Sequence, residues 1–173
     1  IITMEETITT TEVGKKYGII YALVTTLVSI LPMVLEYQSQ WLGLVSTITA
    51  IVVYIFATKE FKNENGGFMS FGEGFKITMM AAAIAGVVRA AVTYVYIKFL
   101  DPGFSERMQD SMIETWQRQG MSEEQIETSL RFAGGISNPE MASLIGIGMA
   151  LLGGLILGSI VAAINKNEAE ESF

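Results

Sequence analysis

No cysteine and no histidine occur anywhere in the 173 residues. The first absence excludes disulfides, thiolate nucleophiles and cysteine-ligated metals. The second removes the usual general base near neutral pH and the commonest metal ligand. Asp, Glu, Lys, Ser and Tyr remain, but the residue types favour a protein that is not an enzyme and takes neither metal nor cofactor. Positive charge is scarce too: 11 Lys and Arg stand against 18 Asp and Glu, a net charge of −7. Electrostatic capture of nucleic acid has no basis in such a chain.

What the sequence does have is apolar residues, half of the total, and they are grouped. A membrane span needs about 20 mainly apolar residues. Four segments qualify: 17–35, 41–57, 75–100 and 141–164. The fold expected is all-α, an integral membrane four-helix bundle with a helical hairpin in the outer loop (101–140) between helices 3 and 4. Residues 1–16 read as an N-terminal tail and 165–173 as an acidic C-terminal tail. The lysines before span one resemble a signal peptide, but the apolar run is long and no small-x-small cleavage site follows. Residues 35–41, "LEYQSQW", therefore read as a tight turn between spans one and two.

Positive charge collects in cytoplasmic loops. Lys15, Lys16, Lys59, Lys62, Lys76 and Lys166 all fall on one side of four alternating spans. Both termini are expected to be cytoplasmic.

Span four contains a regular spacing of small residues. Ala142, Gly146, Ala150, Gly154, Gly158 and Ala162 recur every fourth position. Lipid tails are as apolar as leucine, so helices associate in membranes through close backbone approach, which small residues permit. Residues four apart share one ridge of a helix. Span four thus offers a groove, and Ala82, Gly86 and Ala90 in span three supply a mate on the same stride. The alternatives for the partner helix are this chain, a second copy or another protein.

Arg89 is the one ionisable side chain deep in a span, about 16 Å from Leu100 and about 19 Å from Lys76 at 1.5 Å per residue. An arginine there costs about 2.5–3.5 kcal/mol on insertion scales. Snorkelling relieves such a charge, yet helical side chains lean toward their own N-terminus, here the farther surface. No Asp or Glu lies at its depth in the other spans. Glu36 at the end of span one is the nearest acid, and Thr25, Thr26, Ser29 and Thr93 offer oxygens. The alternatives are an acid on a partner protein, a lipid phosphate in a cleft, or hydroxyls and carbonyls inside the bundle.

The loop between spans two and three, "TKEFKNENGGFMSFGEGFK", is rich in glycine but lacks the G-x-x-x-x-G-K-[ST] spacing of a phosphate loop. Phe68, Phe71 and Phe75 read as interfacial anchors. Gly72, Gly74 and Lys76 are candidates for contact with a lipid headgroup at a helix start. In the outer loop, Asp101–Pro102 reads as a helix start and Gly120 as its C-terminal cap. Ser122–Gln125, "SEEQ", is a capping box that opens a second helix, which Gly134, Gly135 and Pro139 break. Eight acids (Asp101, Glu106, Asp110, Glu114, Glu123, Glu124, Glu127, Glu140) face three arginines there.

Three of these stretches carry a resemblance: "GFMSFGEGF" (Gly67–Phe75), "FLDPGF" (Phe99–Phe104) and "GMSEEQIE" (Gly120–Glu127). They resemble a bacterial family of small membrane proteins known as domain of unknown function 4199, over nearly the whole chain from Lys16 to about Lys166. The resemblance implies a four-span protein of the bacterial inner membrane. It implies no activity, and no functional residues transfer.

The leading expectation is a non-enzymatic accessory or scaffold subunit that meets membrane lipid and packs against a partner membrane protein or a second copy. The alternative is a small transporter or lipid-binding protein using Arg89. A membrane-bound enzyme using the outer carboxylates ranks third.

Overall fold

The computed structural model of the protein describes residues 8–34, 41–133 and 138–168. Its helices are α1 (Thr10–Val34), α2 (Trp41–Glu64), α3 (Phe71–Val95), α4 (Phe104–Arg118), α5 (Glu123–Ala133) and α6 (Pro139–Asn165), and Tyr96–Leu100 continues α3 as a π-helical turn. Four stretches are long and apolar enough to cross a membrane: Thr10–Leu31, Trp41–Glu64, Phe71–Leu100 and Pro139–Asn165. The protein is therefore an all-α, multi-pass membrane protein. The helices outrun the apolar windows of 17–35, 41–57 and 75–100, because backbone hydrogen bonding continues past the point where lipid contact ends. The 35–40 turn, Glu36, the break at Gly134–Gly135 and the tips of both tails lie outside the described residues.

The surface of the spans is built in an unusual sense for a protein fold. On α2 the exposed row is Leu44, Ile48, Val52 and Phe56; on α6 it is Leu152, Ile156, Ile160 and Ile164, with Ile164 75% exposed. On α1, Leu23, Leu27 and Leu31 do the same. Each row repeats every fourth residue, so each is one face of its helix. The residues turned inward are mostly small, among them Ala22, Ala50, Ala57, Ala81, Ala82, Ala85 and Ala162. Large side chains outward and small ones inward is the arrangement that lipid favours, where tight backbone approach stabilises the bundle and apolar side chains lose nothing by exposure. These outward rows are the lipid contact.

The chain divides into two compact units, one running to Val88 and resuming at Met149, the other Arg89–Gly148. In the first, α3 is gripped from two sides. A methyl group added to Gly14 of α1 would lie 2.9 Å from Met80 Sδ, and one added to Gly18 would lie 2.8 Å from Ile84 Cδ1. On the α6 side, Gly154 faces Ala82, Gly158 faces Thr78, and Ala162 faces Gly74. The sum of each pair is constant, which is the register of two antiparallel helices. Tyr54, 1% exposed, sits among Ala50, Val53, Ala81, Ala82 and Val161, with its ring edge-on to Tyr21 at 5.6 Å.

The α2–α3 connection and the end of α6 are fastened together. Glu64 ends α2 in a Schellman arrangement, in which Gly67 N–H donates to Lys62 C=O at 2.8 Å and Gly66 adopts φ +64°. Met69 and Asn167 exchange two backbone hydrogen bonds, 2.9 and 2.8 Å. Asn167 Nδ2 donates to Gly67 C=O, Lys62 Nζ to Asn165 C=O, and Asn165 Nδ2 to Thr58 Oγ1.

In the second unit, α4 and α5 contact each other as a hairpin. Met121 N–H donates to Trp116 C=O and Gly120 N–H to Gln117 C=O. These two bonds are those of a Schellman cap with Gly120, φ +80°, at the left-handed position. Ser122 N–H donates to Gln125 Oε1 at 2.9 Å and Gln125 N–H to Ser122 Oγ at 3.3 Å, the reciprocal bonds of a capping box. The first helix starts two residues later than Asp101–Pro102 suggests: Gly103 is its N-cap, and Asp101 C=O accepts from Phe104 N–H.

Candidate functional site

The stripe on α6 is used unevenly. Gly154, Gly158 and Ala162 are buried against α3. Gly146, in contrast, has nothing within 4 Å of where a side chain would begin, and the same is true of Gly153. Ala142 and Ala150 are half-buried. On α3, Ala82 and Ala90 are buried (0% and 6% exposed) and Gly86 is buried as well. The mates that fill the stripe in the first unit are Gly74, Thr78 and Ala82, and the first two lie outside the Ala82–Gly86–Ala90 stride.

Arg89 is half-buried. Its Nη2 donates to Gly146 C=O at 3.5 Å, the long limit of a hydrogen bond. Gly146 allows this approach because no side chain shields its carbonyl. One turn away, Ser143 Oγ donates to Ala90 C=O at 3.3 Å and to Pro139 C=O at 2.8 Å. Among the described residues no carboxylate lies within ion-pair distance of Arg89. Two of the hydroxyls expected to serve it are engaged otherwise: Thr25 Oγ1 donates to Tyr21 C=O and Ser29 Oγ to Thr25 C=O, both within α1. Thr26 Oγ1 is buried with no hydrogen-bond partner among the described residues.

Several other charges in the second unit are paired. Lys98 Nζ donates to Glu140 Oε1 at 2.8 Å and to Tyr94 OH, and Tyr94 OH donates to the same Glu140 oxygen at 3.3 Å. Arg107 pairs with Asp101, which also accepts from Tyr96 OH at 3.3 Å. The Arg107 guanidinium holds the Asp101 carboxyl below the usual carboxylate range.

The candidate headgroup site at the start of α3 has a different occupant. Ser70 N–H and Oγ both donate to Glu73 Oε2 at 2.8 Å, and Glu73 N–H donates to Ser70 Oγ at 3.3 Å. This is a capping box, so a carboxylate already satisfies the helix start. Gly74 is buried, with Met69 Cε 3.0 Å and Ala162 Cβ 3.1 Å from where its side chain would begin; it is a packing position. Gly72 and Lys76 are exposed. A third capping box, Thr9–Glu12, opens α1, and Lys16 and Tyr17 on that helix both donate to Glu60 of α2, at 2.8 and 3.0 Å. Among the described residues no three acids are grouped closely enough to hold a metal ion.

Ser70, Glu73, Asp101, Ser122 and Gln125 of the quoted motifs are thus spent on caps and turns. The family model for a protein of unknown function (DUF4199) matches residues 16–167. The chain belongs to that family. No curated protein and no solved structure matches it. In this DUF4199 protein "GFMSFGEGF" caps α3 and seats the α2–α3 turn under the end of α6. "FLDPGF" turns the chain from α3 into α4, and "GMSEEQIE" caps α4 and opens α5.

Proposed function

We propose that this protein is a non-enzymatic accessory or scaffold subunit of a membrane complex, which packs against spanning helices of another protein. The observation that carries the reading is the bare backbone of α6 at Gly146 and Gly153. Small residues gain nothing from lipid, since they leave gaps that flexible tails fill poorly; a neighbouring helix fills them well. In α6 the small residues at 154 and 158 already serve that purpose within the chain. The remaining ones are suited to a helix from outside. The six lysines on one side favour a cytoplasmic position for both termini, in the inner membrane of a bacterium.

Extraction in mild detergent followed by native mass analysis tests the reading. The protein should leave the membrane in a heteromeric assembly. Recovery as a lone monomer under every mild condition would refute it.

A second reading, a small transporter or lipid-binding protein, draws on the half-buried guanidinium of Arg89, which an anionic headgroup or solute would satisfy. Arg89→Ala separates the two. Loss of bound lipid or uptake with the assembly intact favours the second reading, and loss of co-purifying protein favours the first.

A further inference from the structure

We infer that Arg89 receives a carboxylate from a spanning helix of a different protein; this rests on the subunit reading above and names the chemistry of the partner. Phe71–Leu100 is a 30-residue apolar stretch, and Arg89 lies between three and four residues past its midpoint, about 5 Å along the axis. The guanidinium is therefore near the middle of the bilayer. Its long contact with Gly146 C=O, 3.5 Å, lies at that depth rather than at a surface. Within the same unit Ser143 Oγ donates to Ala90 C=O, which sets this turn of α6 beside residue 90, so the side chain has not stretched toward the outer headgroups. A lipid phosphate would have to sink well below the interface to meet it.

Among the described residues, a second copy of the chain has no acid at this depth. The described acids on the spanning helices are Glu12, Glu60, Glu64, Glu73 and Glu140, all near helix ends. Glu60 is held by Lys16 and Tyr17, and Glu140 by Lys98 and Tyr94. Two copies side by side would bring arginine to the same depth as arginine, which is repulsive in a medium of low dielectric. A carbonyl at 3.5 Å is also a weak partner for a full charge. Intramembrane arginines pair with acids or with backbone carbonyls, or line polar pathways, and the carbonyl bond of Arg89 is at the long limit. No described carboxylate stands beside this one, so the complement is a helix carrying Asp or Glu near its centre. Gly146, open on the same part of α6, lets such a helix come close.

The experiment uses the full chain in phosphatidylcholine vesicles with a fluorescent leucine-rich spanning peptide that has Asp at its central position. Its Asn and Leu versions are the controls, and energy transfer reads association. The Asp peptide should bind the wild-type protein roughly five- to tenfold more tightly than either control, the range of interhelical polar contacts in membranes. Arg89→Leu should abolish the difference, and Arg89→Lys should keep most of it. Equal binding of the three peptides, or an Asp preference that survives Arg89→Leu, would overturn the inference. So would an Asp preference that appears only in Glu36→Gln, because the guanidinium would then be satisfied within the chain. If the peptides fail while native mass analysis still finds a heteromer, the carboxylate is wrong and the subunit reading stands. A lone monomer there removes both.

Discussion

A methyl group placed on Gly154 would stand 2.5 Å from the Cβ of Ala82. Neither residue has a side chain that can swing aside, so only a shift of α6 against α3 relieves the clash. Gly154→Ala should therefore destabilise the bundle by about 1–3 kcal/mol, the usual cost of overpacking. Gly146→Ala meets open space and should leave stability within about 0.5 kcal/mol. Unfolding of the two variants in mixed micelles measures both. Equal losses would contradict the division of the stripe into a filled part and an open part.

Ser70→Ala removes one half of the cap on α3. The expected cost is about 1 kcal/mol, accompanied by faster amide exchange at Glu73, whose N–H bonds Ser70 Oγ. If "GFMSFGEGF" instead served a ligand, the substitution would leave exchange at that amide unchanged.

The Met69–Asn167 bridge predicts a coupled effect between distant residues. Asn167 also holds Gly67 C=O through its side chain. Replacement of Asn167 by Pro removes both the backbone donor and the amide, and should expose Met69, which is 1% exposed. Faster oxidation of Met69 by dilute peroxide reads the change by mass. An oxidation rate equal to the wild type would show that the clasp does not cover Met69.

Asp101 and Arg107 make the turn into α4 sensitive to acid, with a defined sign. The folded carboxyl titrates below the ordinary value of 3.8. Its contribution is present at neutral pH and is lost only as the pH falls through that lowered value. Circular dichroism of α4 should thus be unchanged from pH 7 to about pH 5 and should decline below about pH 4. Arg107→Ala should show the loosened turn already at pH 7. A decline centred near pH 6 would exclude Asp101 as its source.

Much of the fold can be read in the sequence because its signals are local. Long apolar runs place the spans, and Ser122, Gln125 and Gly120 place the caps of the hairpin by residue type and spacing alone. The Ser70–Glu73 cap carries the equivalent S-x-x-E signal, but its glycine-rich setting reads equally as an anion site at a helix start. Other contacts have no local trace. Glu60 accepts from Lys16 and Tyr17 more than forty positions away, and Met69 bonds Asn167 almost a hundred residues on. Such pairs are set by the register of packed helices, which no short motif encodes. The mate of Gly158 is Thr78 rather than a residue of the Ala82–Gly86–Ala90 stride for the same reason: antiparallel register, not composition, chose it. For Arg89 the sequence reveals the charge and its depth, while the acceptor, a carbonyl bared by a glycine, depends on how α3 meets α6.

The central claim is that these four helices are dissolved in lipid with α4 and α5 on the opposite side from the termini. The absence of cysteine makes it directly measurable by labelling single-cysteine variants with a membrane-impermeant maleimide in intact cells. Ser122→Cys should label at once, Lys166→Cys only after the cells are opened, and Ile48→Cys and Leu152→Cys not at all until detergent is added. Rapid labelling of Leu152→Cys in intact cells, or of Ser122→Cys and Lys166→Cys from the same side, would contradict the account.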